Sequence, residues 1–118
     1  MKIRIGITSE GFVQAHLYMV RGDTDSITVR QEKDGEEMPF VAGDTVTLTV
    51  KKMADRPTLI EKKITSFEDG KAIIQFLPED TKELDFGKYK YDIQKSNGDS
   101  VKTIIYYSDF VIKEEVSL

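Results

Sequence analysis

The sequence contains no cysteine and no tryptophan, and its single histidine is His16. The absence of thiols excludes disulfide frameworks, cysteine-ligated zinc, iron–sulfur clusters and thiol nucleophiles together. One imidazole also excludes any metal site that needs two histidine ligands. No stretch approaches the roughly 18 consecutive apolar residues of a membrane-spanning helix, so the sequence predicts no such helix.

The composition is that of a soluble globular protein. Of the 118 residues, 39% are hydrophobic and 32% are charged, which predicts one domain over residues 1–118. The net charge of -4 has the wrong sign for a dedicated binder of nucleic acid or anionic membranes. Residues 1–7 alternate apolar and charged side chains and lack the apolar centre of a secretory signal. We expect residues 1–14 to form an arm or an extra strand.

Two segments, residues 44–52 and 87–94, alternate between apolar and polar residues and predict half-buried strands. Because successive side chains of a strand point to opposite faces, each segment would bury one row of side chains. The predicted buried rows are Val46, Leu48 and Val50 in the first segment and Tyr89, Tyr91 and Ile93 in the second.

Weaker patterns predict the remaining elements. Asn97-Gly98 suits a type I′ turn, which would make residues 101–107 the antiparallel hairpin partner of 87–94. Asp34-Gly35 is a second turn signal. Proline and acids at the start of residues 78–84 predict one short helical turn near 79–84. The other predicted strands are 16–20, 25–30, 58–64, 71–77 and a short final strand at 110–112. The apolar residues of 71–77 favour a strand with both faces covered or a strand near a sheet junction.

Seven or eight short strands with almost no helix predict an all-β sandwich or barrel, and one motif favours an Ig-like antiparallel β-sandwich. Residues 85–91 follow the D-x-G-x-Y-x-[Cys] pattern of the immunoglobulin tyrosine corner, with Asp85, Gly87 and Tyr89 at the fixed positions. The Tyr89 hydroxyl would then bond to backbone just upstream, and Tyr91 would fill the place of the second cysteine. The alternative is a strand that begins at Gly87 and carries two packed tyrosines.

A search for catalytic and metal-binding patterns finds no complete one. The sequence has no G-x-S-x-G, P-loop, G-x-G-x-x-G or H-E-x-x-H motif. His16 lies in a predicted strand, where a structural or surface role competes with a catalytic one. The acidic pairs Asp23/Asp25 and Glu79/Asp80 suit turns and helix starts as well as a hard cation, and they lack the ligand set of an EF-hand loop. We therefore expect no enzyme, no catalytic residue, no metal and no cofactor.

Two consecutive tyrosines, Tyr106 and Tyr107, end the predicted strand at 101–107. Since side chains alternate along a strand, one of the two faces outward whichever register holds. An exposed tyrosine can anchor a protein or sugar partner, or it can be a partly covered surface aromatic. The pair is the candidate partner surface of the sequence.

Five segments follow one another in a recognisable order: M-V-R-G-D-T-D-S-I-T-V (19–29), D-T-V-T-L-T-V-K-K (44–52), L-P-E-D-T-K-E-L (77–84), G-K-Y-K-Y-D-I-Q (87–94) and V-K-T-I (101–104). This order, over residues 17–113, resembles the immunoglobulin-like domains of tailed-phage and prophage structural proteins. The closest resemblance is to the N-terminal domain of the siphophage upper baseplate protein family. Its most specific part is PEDT followed by the G-x-Y-x-Y-D-I-Q strand. Ser108 stands where a glycine is common between the late hairpin and the last strand.

The resemblance implies a non-enzymatic virion component that docks onto other tail or baseplate proteins. It further implies a homo-oligomeric or ring arrangement around a symmetric tail, and a location in the virion or, during assembly, in the host cytoplasm. It implies no catalytic residue. The alternative function is a carbohydrate- or receptor-binding Ig-like module, because such sandwiches present loops for recognition and tyrosines stack on sugars.

Overall fold

The computed structural model describes residues 2–7, 13–33 and 36–114 of the chain. Strands dominate these residues, so the predicted all-β class is confirmed, as is the short helical turn. The described residues hold ten strands where the sequence predicts seven or eight. In chain order the elements are β1 (Lys2–Ile7), β2 (Val13–Val20), β3 (Asp25–Val29), β4 (Gln31–Lys33), β5 (Glu36–Met38), β6 (Thr45–Lys51), β7 (Thr58–Ile64), β8 (Ala72–Phe76), α1 (Pro78–Thr81), β9 (Gly87–Asn97) and β10 (Ser100–Lys113).

Six strands form one large sheet in the order β1-β2-β10-β9-β6-β7. Its neighbours are antiparallel except β2 and β10, which run parallel with Phe110 opposite Leu17. The expectation of a purely antiparallel sandwich is therefore corrected at this pair. Strands β3 and β8 form a two-stranded antiparallel sheet, and β4 pairs with β5. Side chains of the large sheet and of the β3–β8 sheet are buried in one cluster, so the two sheets pack as a sandwich.

The core follows from strand alternation. The rows predicted to be buried in 44–52 and 87–94 are buried, and all three side chains of the β6 row are fully enclosed. From the opposite sheet, the ring of Phe76 packs with its centroid 5.6 Å from that of Phe110. In β8 only one row is fully enclosed: Ile73 is half-buried and Gln75 exposed, so the expectation that both faces are covered is wrong. The buried hydrophobic residues of these two rows, on β6 and β9, are Val46, Leu48, Val50, Tyr89, Tyr91 and Ile93.

The β9–β10 hairpin turns one residue later than predicted. Asn97 pairs with Ser100, so the two-residue loop is Gly98-Asp99 rather than Asn97-Gly98. Gly98 has a φ of 58°, whereas Asp99 has no positive φ. Only the first central residue lies at positive φ, which is the sign pattern of a type II′ turn and not of the predicted type I′ turn.

The predicted strands 101–107 and 110–112 are one strand, β10. Instead of a turn between them, the pairing with β9 shifts register twice, between Thr103 and Ile105 and between Ile105 and Ser108. Tyr107, inside the second shift, has a φ of 26°. A bulge of this kind bends a strand without ending it, because pairing resumes on both sides.

The other strand predictions agree with the structure. Residues 16–20 and 25–30 correspond to β2 and β3, and 58–64 corresponds to β7. Residues 2–7 form an extra strand at the edge of the large sheet. The Asp34-Gly35 turn lies outside the described residues. Within the described part of the chain, no helix has the length and hydropathy needed to cross a bilayer.

Candidate functional site

The tyrosine corner lies where the chain enters β9. The Tyr89 hydroxyl donates a hydrogen bond to the Asp85 carbonyl at 2.7 Å, and this is the bond that the corner motif calls for. Gly87 between them has a φ of 128°, a conformation that favours glycine. Burial raises the pKa of Tyr89, and the nearby Asp85 carboxylate raises it further. The phenol is therefore neutral near pH 7, and its role is to fix the backbone.

Tyr91 crosses beneath β10 to reach β2. Its hydroxyl donates a hydrogen bond to the Ala15 carbonyl, while the Ala15 N–H donates to the Ser108 hydroxyl at 3.0 Å. Tyr91 is buried, and burial raises the pKa of its phenol. Ser108 in turn donates to the Tyr106 carbonyl at 2.8 Å. Two side chains thus satisfy both backbone groups of Ala15, next to the bulge that disturbs β10.

The structure separates the two tyrosines of the predicted partner surface. Their ring centroids are 6.1 Å apart, but they border different cavities. Tyr106 is exposed, as predicted for one of the pair. Tyr107 is half-buried beneath the Lys90 ammonium, which lies 5.3 Å from its ring centroid.

Tyr106 belongs to an apolar surface on the half of the β9–β10 hairpin nearest its turn. Val13, Val101 and Tyr106 are exposed there, and Ile104 is half-buried. They border a cavity of about 530 Å³ that Gln31 also lines. We call these four hydrophobic residues the hairpin patch. Exposed apolar groups grouped in this way are typical of surfaces that another protein covers.

Tyr107 borders a cleft of about 370 Å³ on the outer face of the large sheet. Thr49, Lys51, Asp92 and Gln94 line the same cleft. Burial raises the pKa of Asp92, and the Lys51 ammonium partly offsets that rise. Within the described residues, no group donates a hydrogen bond to the Asp92 carboxylate. We call this surface the outer cleft; one carboxylate and two ammonium groups, those of Lys51 and Lys90, line it together with hydroxyl and amide groups and an aromatic ring.

His16 lies in a charge cluster on the outer face. Its Nδ1 accepts a hydrogen bond from the Asp109 N–H at 3.1 Å. Lys90 donates to the Asp109 carboxylate at 2.5 Å, and Lys88 lies 3.5 Å from it. Burial alone would raise the pKa of Asp109, but the Lys90 hydrogen bond and the surrounding cations outweigh burial and hold it below its usual range. The cluster is thus a set of mutually compensated charges.

One member of each acidic pair considered as a cation ligand has a local partner. Asp80 accepts a hydrogen bond from the Leu77 N–H at 2.7 Å and contacts the Lys62 ammonium at the same distance. Asp25 accepts one from the Ser26 N–H at 2.8 Å. In the part of the chain that the structure describes, no three histidine or acidic side chains converge as metal ligands would.

Two features of these surfaces are not predictable from the sequence. Gln31 is buried, although a polar residue just after β3 would be expected from the sequence to face solvent. Asp92 is one of several outward-facing residues of β9, and nothing local marks it as the one that lines a cleft. Both depend on strands distant in sequence.

The chain matches no protein-family model and no curated protein.

Proposed function

We propose that this protein is a non-enzymatic structural or assembly component of a phage or prophage tail or baseplate. It acts by docking to other tail or baseplate proteins, in the virion or in the host cytoplasm during assembly. Repetition of the protein around a symmetric tail is part of the proposal. The resemblance of residues 17–113 to the Ig-like domains of such proteins supports it.

The observation that carries the docking role is the hairpin patch. Val101 is 62% exposed and Tyr106 is 43% exposed, on a chain in which 32% of residues are charged. Covering these side chains would remove apolar surface from water, at about 25 cal/mol per Å². Tyrosine is also enriched among the residues that dominate binding energy in protein interfaces.

Mass spectrometry of tailed particles, purified after inducing lysis of the source strain, tests this function. We expect the chain at an abundance comparable to other tail proteins. Val101→Asp should lower its incorporation about 10-fold by placing a charge in the interface. Val41→Asp is the matched control, because Val41 is an exposed valine outside the patch. Absence of the native chain from particles would overturn the proposal.

A saccharide-binding module is the second candidate, and the outer cleft favours it. Asp92 and Lys51 place opposite charges on the cleft, and the Lys90 ammonium that also borders it is bound to Asp109. This balance suits a neutral, hydroxyl-rich ligand better than an ion. The Tyr107 ring adds an aromatic wall of the kind that packs on sugar rings.

Cell-wall polysaccharides on a glycan array test this candidate. We expect binding at about micromolar concentration that Asp92→Asn and Tyr107→Ala abolish. Tyr106→Ala serves as the control, because Tyr106 does not line the outer cleft. A flat response of the native protein across the array removes the saccharide function.

A further inference from the structure

Strands β3 and β4 form one long edge of the smaller side of the sandwich. They are separated only by Arg30, and their inward row continues without interruption through Ile27, Val29 and Gln31, all buried. Strand β8 pairs with β3, and β5 pairs with β4. The ends of β5 and β8 meet, since Glu37 contacts Lys71 at 3.6 Å. Strands β5 and β8 therefore flank the continuous β3–β4 segment on the same side. No described strand pairs with the other side of β3 and β4, which we call the open edge.

The side chain of Asp25 indicates which backbone groups face this open edge. The Ser26 N–H donates to the Asp25 carboxylate, so it is not engaged with β8. In an antiparallel pair, alternate residues direct both backbone groups to the same side. Thr28 and Arg30 therefore share the orientation of Ser26, and they present N–H and C=O groups to the open edge.

A groove runs along this edge because a six-stranded sheet faces a two-stranded one. With strands about 4.8 Å apart, two strands cannot cover the inner face of six. A cavity of about 120 Å³ beside β3 joins side chains of both sheets, among them Ala15, Leu17, Ile27 and Ile105. The hairpin patch and its larger cavity border Gln31, the next inward residue of this edge. We call the two cavities together the edge groove.

Gln31, which lines the edge groove, has a side-chain oxygen without a hydrogen-bond donor. The residue is 4% exposed, and its Oε1 accepts no hydrogen bond within the described structure. A buried acceptor without a donor destabilises the folded chain, because it has lost its hydrogen bonds to water. A group that brings an N–H into the larger cavity would remove that destabilisation.

We propose that the β3–β4 edge accepts an extended strand from a partner protein. A polypeptide strand supplies N–H and C=O groups in alternation along one edge, which the backbone of Thr28 and Arg30 and the carbonyl of Ser26 require. Its alternate side chains are apolar and enter the edge groove. An acidic residue of the strand lies near Lys102, which borders the larger cavity. This inference rests on the proposed docking function and names the chemistry of the partner.

A synthetic peptide tests the strand-accepting edge on the full chain. The probe has nine residues, alternating threonine and valine, with a terminal glutamate. We expect NMR shifts at residues 26–31 and about 10-fold slower hydrogen exchange at the Thr28 and Arg30 amides. Two further probes carry N-methyl groups on all threonine or on all valine amides. Alternate residues of the bound peptide direct their N–H groups to opposite edges, so only the threonine amides or only the valine amides donate to β3. One methylated probe should therefore lose binding, and the other should keep it.

Variants of the groove give a second measurement. Thr28→Pro removes an edge N–H that no described strand uses, and Val13→Lys places a charge in the larger cavity. Each should weaken peptide binding about 10-fold. Val41→Lys should leave it unchanged, and circular dichroism checks that every variant is folded. Equal binding of both methylated probes, or shifts elsewhere on the surface, would overturn the proposal.

The outcomes separate this inference from the proposed function. Peptide binding together with absence of the chain from particles would retain the strand-accepting edge and reject the tail function. Presence of the chain in particles without peptide binding would retain the tail function and reject the strand-accepting edge. Concentration-dependent shifts at residues 26–31 without any peptide would identify a second copy as the occupant, against a partner protein.

Discussion

At the scale of single residues, side chains complete hydrogen bonding where strand pairing is interrupted. Tyr91 and Ser108 bind the carbonyl and the N–H of Ala15, and Tyr89 binds the carbonyl of Asp85. Each of these hydroxyls contacts a backbone group that would otherwise lack a partner or depend on water. Stability at these points therefore depends on individual oxygen atoms.

Tyr89→Phe tests the corner hydrogen bond. The substitution keeps the ring in the core and removes the hydroxyl that donates to Asp85, so we expect a loss of about 1–2 kcal/mol in the free energy of unfolding. Urea denaturation measures it. Tyr107→Phe is the control, because its hydroxyl donates no hydrogen bond to any residue that the structure describes. An unchanged midpoint for Tyr89→Phe would argue against the corner.

Asp44 should make stability depend on pH. The Asn97 side-chain amide and then the Val41 N–H each donate to its carboxylate at 2.9 Å, and they lower its pKa below the ordinary value. A carboxyl with a lowered folded pKa stabilises the fold fully above its unfolded pKa, about 3.9. That contribution disappears as the pH falls through the folded value.

Asp44→Asn should therefore cost about 1–2 kcal/mol at pH 7. The difference from the native protein should shrink as the pH falls below about 4. Urea titrations across the acid range measure it, with Asp55→Asn as an exposed control. A difference that stays constant down to the lowest pH would contradict the role of the ionised carboxylate.

At the scale of elements, the sequence predicts strands with strict alternation and misses features that depend on pairing. The buried row of Val46, Leu48 and Val50 can be predicted from the sequence because every second residue is apolar. The hairpin turn is displaced by one residue because Gly98 belongs to both candidate loops, Asn97-Gly98 and Gly98-Asp99. The bulge around Tyr107 is invisible in the sequence because it arises from register with β9.

Glycines at two turns should respond differently to the same substitution. Gly70 and Gly98 both have positive φ, at 73° and 58°. A Cβ on Gly70 would lie 2.3 Å from the Pro39 Cβ, whereas one on Gly98 would meet nothing within 4 Å. Alanine pays about 1–2 kcal/mol for the left-handed conformation at either position. Gly70→Ala should lose clearly more because Pro39 must also move.

Thermal unfolding of the two alanine variants measures this difference. We expect a larger fall in Tm for Gly70→Ala, and a fall of several degrees for Gly98→Ala. Equal losses would indicate that the loop containing Pro39 yields without cost, and that φ alone sets the effect.

At the scale of the whole molecule, the site is harder to predict than the fold. The all-β class follows from short-range alternation, which each segment carries by itself. The edge groove and the outer cleft depend on which strands become neighbours, and Ala15 and Ser108 are 93 residues apart. No local sequence pattern predicts that the Gln31 Oε1 is buried without a donor among the described residues. None predicts that Tyr106 and Tyr107 border different cavities.

The same long-range pairing should make folding slow. Strand β2 meets β10 only after nearly the whole chain has been brought together, and closing such a loop costs entropy before its contacts form. We expect folding in about milliseconds to seconds, as for other sandwiches. Stopped-flow refolding followed by circular dichroism measures it. Folding within microseconds, or a helical spectrum, would contradict the described topology.

The parallel pair β2–β10 also determines how the molecule would resist being pulled. Lys2 lies opposite Tyr18, so tension on the start of β1 peels that strand from β2 one residue at a time. Once β1 is detached, the pull acts on Val13 at one end of β2 and on Lys113 at the other end of β10. Their shared backbone bonds are then sheared together, not broken in sequence. A sandwich built this way yields first at low force and afterwards holds as a mechanical clamp.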